Sequence, residues 1–424
     1  MRLYGSRALA WFLPAYAAIL LLMAPHLSLW LDEVLTLSGA KEPDLAAMLV
    51  NLQKQQGATP LAFLIPRWAI QIFGFSLWST RLPSILAAVA ACPAVFLLGR
   101  RAGLRQPFAA VLVFALWPLE VRYALEARPY ALAVCLSAWL TVLFLERWSD
   151  AAYVVLVVAL ALTHPYGLFL PAAHLLWAIL SDRERAMAPA LGLALSAAAL
   201  LPWYLHFQDG WRAISAQQHL GAVNWRAPLV FLREISGSGY VGTALLAIGI
   251  AMARPLASAR FWWLALAVPM IAVPVANVVF DYFFAVRQLI FLLPLLALLF
   301  VAGSEAVKSW GRCLVAAFLI ASLYANVMWT QRPREDWSAA ADLAASEVSN
   351  GACVRFVGDS QKLFVVFHPE LAQHACYEDA PRVVIAGSTY ESVADDRAAH
   401  AFVQGMSKQA EQQFVAPRIE VYAR

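Results

Sequence analysis

Eleven apolar runs, separated by charged or turn-forming residues, dominate the first 330 positions: 8–30, 82–99, 107–119, 129–145, 151–163, 167–180, 187–205, 238–253, 261–280, 288–303 and 313–329. A helix crossing a bilayer needs about 20 mainly apolar residues, because lipid offers no partner to an unpaired backbone N–H or C=O. Runs of this length and number confine the chain to a polytopic all-α bundle of about eleven transmembrane helices. Of the 424 residues, 62 % are hydrophobic and 14 % charged, where soluble domains average about half and about a quarter. The formal charge of +4 arrives without any Lys/Arg-rich block. It fits basic cytoplasmic loops and gives no ground for a nucleic-acid partner. The apolar start is too long for a signal peptide and lacks a small-residue cleavage site, so it reads as an uncleaved first helix.

Basic residues orient the bundle. With Arg2 and Arg7 inside, the loops holding Arg100, Arg101 and Arg105, then Arg147, Arg183 and Arg185, Arg254 and Arg260, and Lys308 and Arg312 all fall in the cytoplasm. Counting residues 61–78 as a span would move Arg100, Arg101 and Arg105 outside. That stretch is therefore expected to lie flat on the outer interface as an amphipathic helix carrying Arg67, Trp68 and Trp78. An odd number of spans leaves the C-terminus outside. The outer loops carry Arg81, Arg122, Arg128, Arg226, Arg233 and Arg287 beside Asp32, Glu33, Glu120, Glu126 and Asp281. Charges at a membrane surface are costly and serve pairing or function, so the outer mouth suits an anionic ligand.

After Trp329 the composition changes, which divides the chain into a membrane domain, 1–330, and a small extracytoplasmic α/β domain, 331–424. In the latter, "CVRFVG" and "RVVIAG" read as strands, "SVADDRAAHAFVQGMSKQAEQQ" as a helix or two, and "RIEVYAR" as a closing strand. The outer compartment is oxidising, so Cys353 and Cys376 are candidates for a disulfide.

Four residue sets stand where chemistry could occur. Asp32 and Glu33, in "SLWLDEVLTL", follow the first apolar run; acids there could also simply mark the water boundary. "LEVRYALEARPYAL" brings Glu120, Arg122, Glu126 and Arg128 between two runs, with Arg122 and Glu126 at the i, i+4 spacing of a helical ion pair. "THPYG" offers His164, and Arg287 opens a late apolar run, where a lone arginine is commonly a snorkelling anchor.

In this order, together with "TPLAFLIPRWAIQIFGFSLWSTRLPSILAAV", "GRRAG" and "RQLIFLLPLLAL", these stretches resemble the bacterial relatives of the dolichyl-phosphate-mannose protein mannosyltransferases. That group shares the glycosyltransferase C fold with the lipid A aminoarabinose transferases. The resemblance covers about residues 1–330. It implies a multi-pass enzyme of the bacterial cytoplasmic membrane that moves a sugar from a polyprenyl-phosphate donor to a hydroxyl acceptor on the outer face, by a single inverting displacement. It further implies Asp32 as general base, with Glu33 beside it and Glu126 as a second catalytic acid. Arg128 and Arg287, with Arg122, become the contacts of the donor phosphate.

One departure touches cofactors. Where the family commonly reads His-Pro-Pro-Leu or Lys-Pro-Pro-Leu, this chain has Ala58, Thr59, Pro60 and Leu61, which removes one contact for phosphate or metal. Asp32, Glu33, Glu126 and His164 still offer oxygen and nitrogen ligands to a divalent cation. The competing class is a transporter, flippase or non-catalytic binder of lipid-linked sugars. Against it, the charges gather near one surface and no inverted repeat is visible.

Overall fold

The computed structural model describes residues 2–54, 59–217, 227–253, 259–279, 285–307 and 309–424; Ala58, Arg226, Arg254, Asp281 and Lys308 lie outside them. Each expected apolar run overlaps a helix. Among the described residues, six helices are long and apolar enough to cross a membrane, or eight spans if each of two bent pairs counts as one. Tyr130–Glu146, Asp150–Thr163 and Pro165–Ser181 are apolar but shorter, so the expected eleven exceeds what helix length alone supports.

Both bends have local causes. Pro107–Ala115 and Pro118–Ala124 meet at 60°. Trp117, between them, is extended at φ −61° and ψ 129°, because the pyrrolidine ring of the following proline disfavours the helical region for its neighbour. Leu229–Ser236 and Gly239–Ala251 meet at 101°, with Gly237 and Gly239 at φ +65° and +66°, where only glycine sits without steric cost. The two breaks touch each other. Trp117 Nε1 donates to the Ile235 carbonyl at 2.6 Å, and a Cβ on Gly237 would stand 2.7 Å from Pro118 Cβ. The short helix bearing Glu120 and Arg122 is thereby turned off the axis of its span.

The expected amphipathic stretch is a shorter helix, Leu61–Phe73. Gly74, at φ +75°, ends it, and Ser76 caps the next helix, Leu77–Arg101, so Trp78 belongs to that span. Ala62, Phe63, Pro66 and Ala69 are buried, while Trp68, Ile72 and Phe73 are exposed. Arg67 turns inward from the place expected of an interfacial anchor. It donates to the carbonyls of Ala40 at 3.2 Å and Pro43 at 3.1 Å, and to that of Glu42. These include carbonyls that the end of helix Leu31–Ala40 leaves without helical partners.

The C-terminal region opens with helix Trp337–Ser349, followed by β1 (Cys353–Phe356), β2 (Arg382–Ser388), helix Val393–Phe402, β3 (Ser407–Gln413) and β4 (Pro417–Ala423). The sheet order is β1-β2-β4-β3, with β1 parallel to β2 and the other pairs antiparallel. Residues 407–413, expected as helix, form the edge strand. Their Lys, Gln, Ala and Glu favour a helix, but a hairpin with β4 gives them a ladder, and every residue of the strand is exposed, as suits a polar sheet edge. Cys353 and Cys376 form a disulfide. The core beneath the sheet also takes in Leu29, Val34, Leu37 and Ala127, so helix Leu31–Ala40 is packed against the C-terminal region.

His368 joins two elements of that region: Nε2 meets Asp342 Oδ1 and Nδ1 meets Glu370 Oε1, each at 2.7 Å. Burial disfavours its imidazolium, but the hydrogen bonds and charges of the two carboxylates outweigh that, and its pKa is raised. A raised folded-state value contributes stability that is complete below the unfolded pKa of about 6.5 and is lost as pH rises through the folded value. The wild-type thermal midpoint should therefore exceed that of His368→Gln by more at pH 6 than at pH 9. Equal differences at both values would remove the ion pairs from the account.

Candidate active site

Asp32 and Glu33 occupy the first turn of helix Leu31–Ala40, where the exposed N–H groups favour negative charge. Neighbours on a helix point about 100° apart, and here that angle separates two environments. The Asp32 side chain is 23 % exposed and that of Glu33 is fully buried. Glu33 Oε1 accepts from Arg81 Nε at 3.0 Å and from the Ala127 N–H at 2.8 Å. Its Oε2 accepts from Arg81 Nη2 at 3.0 Å and from the Trp30 N–H at 3.4 Å. Arg81, itself fully buried, also donates to the carbonyls of Ala24 at 2.7 Å, Leu27 at 2.5 Å and Ser28 at 3.2 Å. The sequence grouped Glu33 with the catalytic acids. The structure encloses it in a saturated network that fixes the turn ahead of Asp32 and the loop behind Glu126.

Asp32 faces the open side. Its Oδ2 lies 3.5 Å from Arg128 Nη2 and 3.9 Å from Arg287 Nη1. Arg128 Nη1 also donates to the Asp32 carbonyl at 3.1 Å and the Thr36 hydroxyl at 2.8 Å, and its Nη2 to the Tyr130 hydroxyl at 3.4 Å. Three residues distant in sequence thus place one carboxylate between two guanidinium groups. Arg128 also lines a small, partly open pocket whose other walls include Leu61, Ile65, Pro66, Pro83 and Leu132. The pocket is mainly apolar, with Thr80 and Ser84 also in its lining, and helix Leu61–Phe73 forms one side of it.

Arg122 and Glu126 form the expected pair, Nε to Oε1 at 2.9 Å, and the Arg122 guanidinium lies over the Trp30 ring at 5.6 Å. Arg122 is thus tied to Glu126. His164 is nearly buried, its ring 5.7 Å from that of Tyr130 and 5.9 Å from that of Tyr166. Asp32, Glu126 and His164, the candidate cation ligands, are not brought together: among the described residues no three His, Cys, Asp or Glu side chains are grouped to hold a metal ion. Thr59, at the departure from the family motif, donates to the Thr163 carbonyl at 2.7 Å.

Residues 57–206 match the family model for dolichyl-phosphate-mannose-protein mannosyltransferase. The crystal structure of ArnT from Cupriavidus metallidurans in the apo state superposes with a TM-score of 0.61 at 13 % identity, over 99 % of this chain and 98 % of that one. The chain has the glycosyltransferase C fold. A second ArnT crystal structure, bound to undecaprenyl phosphate, aligns with a TM-score of 0.55 at 14 % identity, over 98 % of this chain and 97 % of that one. None of the curated proteins matches the chain. The family match is confined to residues 57–206, and the likeness to ArnT is one of fold. Within the glycosyltransferase C fold, the matched segment 57–206 holds Arg81, Arg122, Glu126, Arg128 and His164, whereas Asp32 and Arg287 lie outside it.

Sequence reasoning passed over Arg334 and Glu335. Both stand in "RPRED", just after the last apolar run, where the visible signal was a change of composition. Their partners are some 300 positions away in sequence: Arg334 Nη2 is 3.7 Å from Glu33 Oε2, and Glu335 Oε2 accepts from the Leu31 N–H at 2.8 Å.

Proposed function

We propose that this protein transfers a sugar from a polyprenyl-phosphate donor to a hydroxyl acceptor at the outer face of the cytoplasmic membrane. The observation that carries the reading is a partly exposed carboxylate, Asp32, between Arg128 and Arg287, with Arg128 also lining a small, mainly apolar pocket. The apolar side chains of Leu61, Ile65, Pro66 and Leu132 beside Arg128 suit the lipid tail of the donor, and the arginines suit its phosphate. Their separations from Asp32 are long for ion pairs, so a phosphate can compete for both. Guanidinium also offers a fork that matches phosphate oxygens.

Asp32 takes the proton of the acceptor hydroxyl as that oxygen bonds to the anomeric carbon. The bond from that carbon to the phosphate oxygen breaks in the same step, and polyprenyl phosphate leaves with the electron pair. Arg128 and Arg287 stabilise the charge growing on it. Glu126 anchors Arg122 at the same mouth. Incubation with labelled polyprenyl-phosphate sugars tests the reading, since a transferase liberates polyprenyl phosphate and a transporter returns the donor intact. Arg128→Ala and Arg287→Ala should each lower turnover by about 10²-fold, as loss of one transition-state donor does elsewhere. Wild-type kinetics in both variants would reduce the arginines to membrane anchors.

A further inference from the structure

Arg287 reaches Asp32 from a tightly wound segment, Val286–Leu292, in which every residue but Arg287 is buried. Of the six buried residues only Gln288 is polar. Its Oε1 accepts from the Ala285 N–H at 3.3 Å and from Asn277 Nδ2 at 2.7 Å, and its own N–H donates back to the Ala285 carbonyl at 3.0 Å. Asn277, buried on helix Ala259–Val279, accepts in turn from the Tyr166 hydroxyl. Tyr166 belongs to the "THPYG" stretch that supplies His164, 111 positions before Asn277. Three segments thus meet in one line of hydrogen bonds that ends on the residue next to Arg287.

Burial alone does not call for these side chains. Leu289, Ile290, Phe291 and Leu292 fill their places without a polar atom, and a leucine at 288 would do the same. Polar groups inside a membrane bundle are costly and serve pairing or function, while hydrogen bonds between membrane helices add only modestly to stability. What a buried polar pair does supply is register. Neighbours on a 3₁₀ helix point about 120° apart, so the direction of Gln288 sets that of Arg287. The rotation that lets Gln288 meet Asn277 is the one that puts Arg287 Nη1 3.9 Å from Asp32 Oδ2.

We infer that Asn277 is a positioning residue for the donor-phosphate contact: with Tyr166 it holds Gln288 inward and thereby aims Arg287 at the mouth where Asp32 stands. The inference rests on the transferase reading above. Asn277 acts through Gln288 and Arg287 and touches neither donor nor acceptor.

The test uses the full-length protein in nanodiscs, with undecaprenyl phosphate titrated against intrinsic tryptophan fluorescence and turnover followed with labelled polyprenyl-phosphate sugars. Asn277→Leu should weaken undecaprenyl phosphate binding and lower turnover about tenfold each, within the range of coupling between residues in one hydrogen-bonded network. It should also lower the thermal midpoint, because the Tyr166 hydroxyl and the Gln288 amide lose a partner. A triple variant, Tyr166→Phe with Asn277→Leu and Gln288→Leu, removes those polar groups together. It should regain most of the midpoint and stay about tenfold weak in binding and turnover, which separates aiming from holding the fold. Asn277→Leu should add nothing to Arg287→Ala and its full loss to Arg128→Ala, as action through Arg287 requires. Wild-type affinity and turnover in the triple variant would reduce the three side chains to packing. A further full loss in the Arg287→Ala background would send the effect elsewhere. Wild-type protein that fails to bind undecaprenyl phosphate would strike the donor reading and this inference with it. Wild-type protein that binds it but liberates none from labelled donor would strike transfer alone, with the affinity comparison still deciding the role of Asn277.

Discussion

Asp32→Asn should yield a protein that folds, binds donor phosphate at least as well as wild type, and transfers sugar about 10²-fold more slowly or worse. The expectation rests on how little of the fold depends on this carboxylate. Its side chain is 23 % exposed, and among the described residues its ion pairs are with Arg128 and Arg287, at 3.5 and 3.9 Å. The bond that Arg128 makes to the Asp32 backbone carbonyl, at 3.1 Å, survives the change. Asparagine keeps the volume but cannot take the acceptor proton. It also removes the negative charge that occupies both guanidinium groups, so an incoming phosphate meets less competition. Single-turnover transfer with labelled donor, read beside the undecaprenyl phosphate affinity and the thermal midpoint, separates these effects. Full transfer activity in the variant would show that another group is the base. A parallel fall in affinity and rate would make Asp32 a binding residue.

What the sequence disclosed and what it hid divide along physical lines. Helices that bury their apolar faces in a bundle are legible because lipid imposes a length and a composition on them. Their breaks were less so. The runs ending at 119 and starting at 238 stop short of the bent pairs because Glu120, Arg122, Arg233 and Glu234 interrupt the apolar pattern. The causes, a pre-proline tryptophan and two positive-φ glycines, act on backbone geometry and leave hydropathy unchanged. The residue set Asp32, Arg128 and Arg287 was named from ordered motifs, and the structure brings those three together. The resemblance gave Asp32 the role of base with Glu33 beside it, but the local pattern did not disclose the burial of Glu33, since two adjacent acids look alike until the helix aims one inward. Glu335 could not be placed at all. The contact that gives Glu335 its meaning spans 304 positions, and nothing in local pattern encodes such a distance. The edge strand Ser407–Gln413 was missed for the opposite reason, because strong local helix preference lost to pairing with β4.

The other large effect should fall on stability. Glu33→Gln removes the countercharge of Arg81, and both side chains are fully buried. Breaking a buried pair by neutralising one partner typically costs about 3–5 kcal/mol, because the remaining charge stays desolvated. Here the loss would spread, since the Glu33 carboxylate also holds the Ala127 N–H at 2.8 Å and, through Ala127, the backbone next to Arg128. The variant should show a sharply lower thermal midpoint and poor yield in detergent, with the surviving folded fraction still able to transfer. Arg81→Gln alone should be comparably damaging, whereas Glu33→Gln combined with Arg81→Gln should lose less than the two single losses added, because the double variant no longer leaves either member of the pair buried without the other. A Glu33→Gln protein with wild-type stability and no transfer would return Glu33 to the chemistry. Loss of stability with transfer intact in the folded fraction would divide the adjacent acids as the geometry does, Asp32 to the reaction and Glu33 to the frame that aims it.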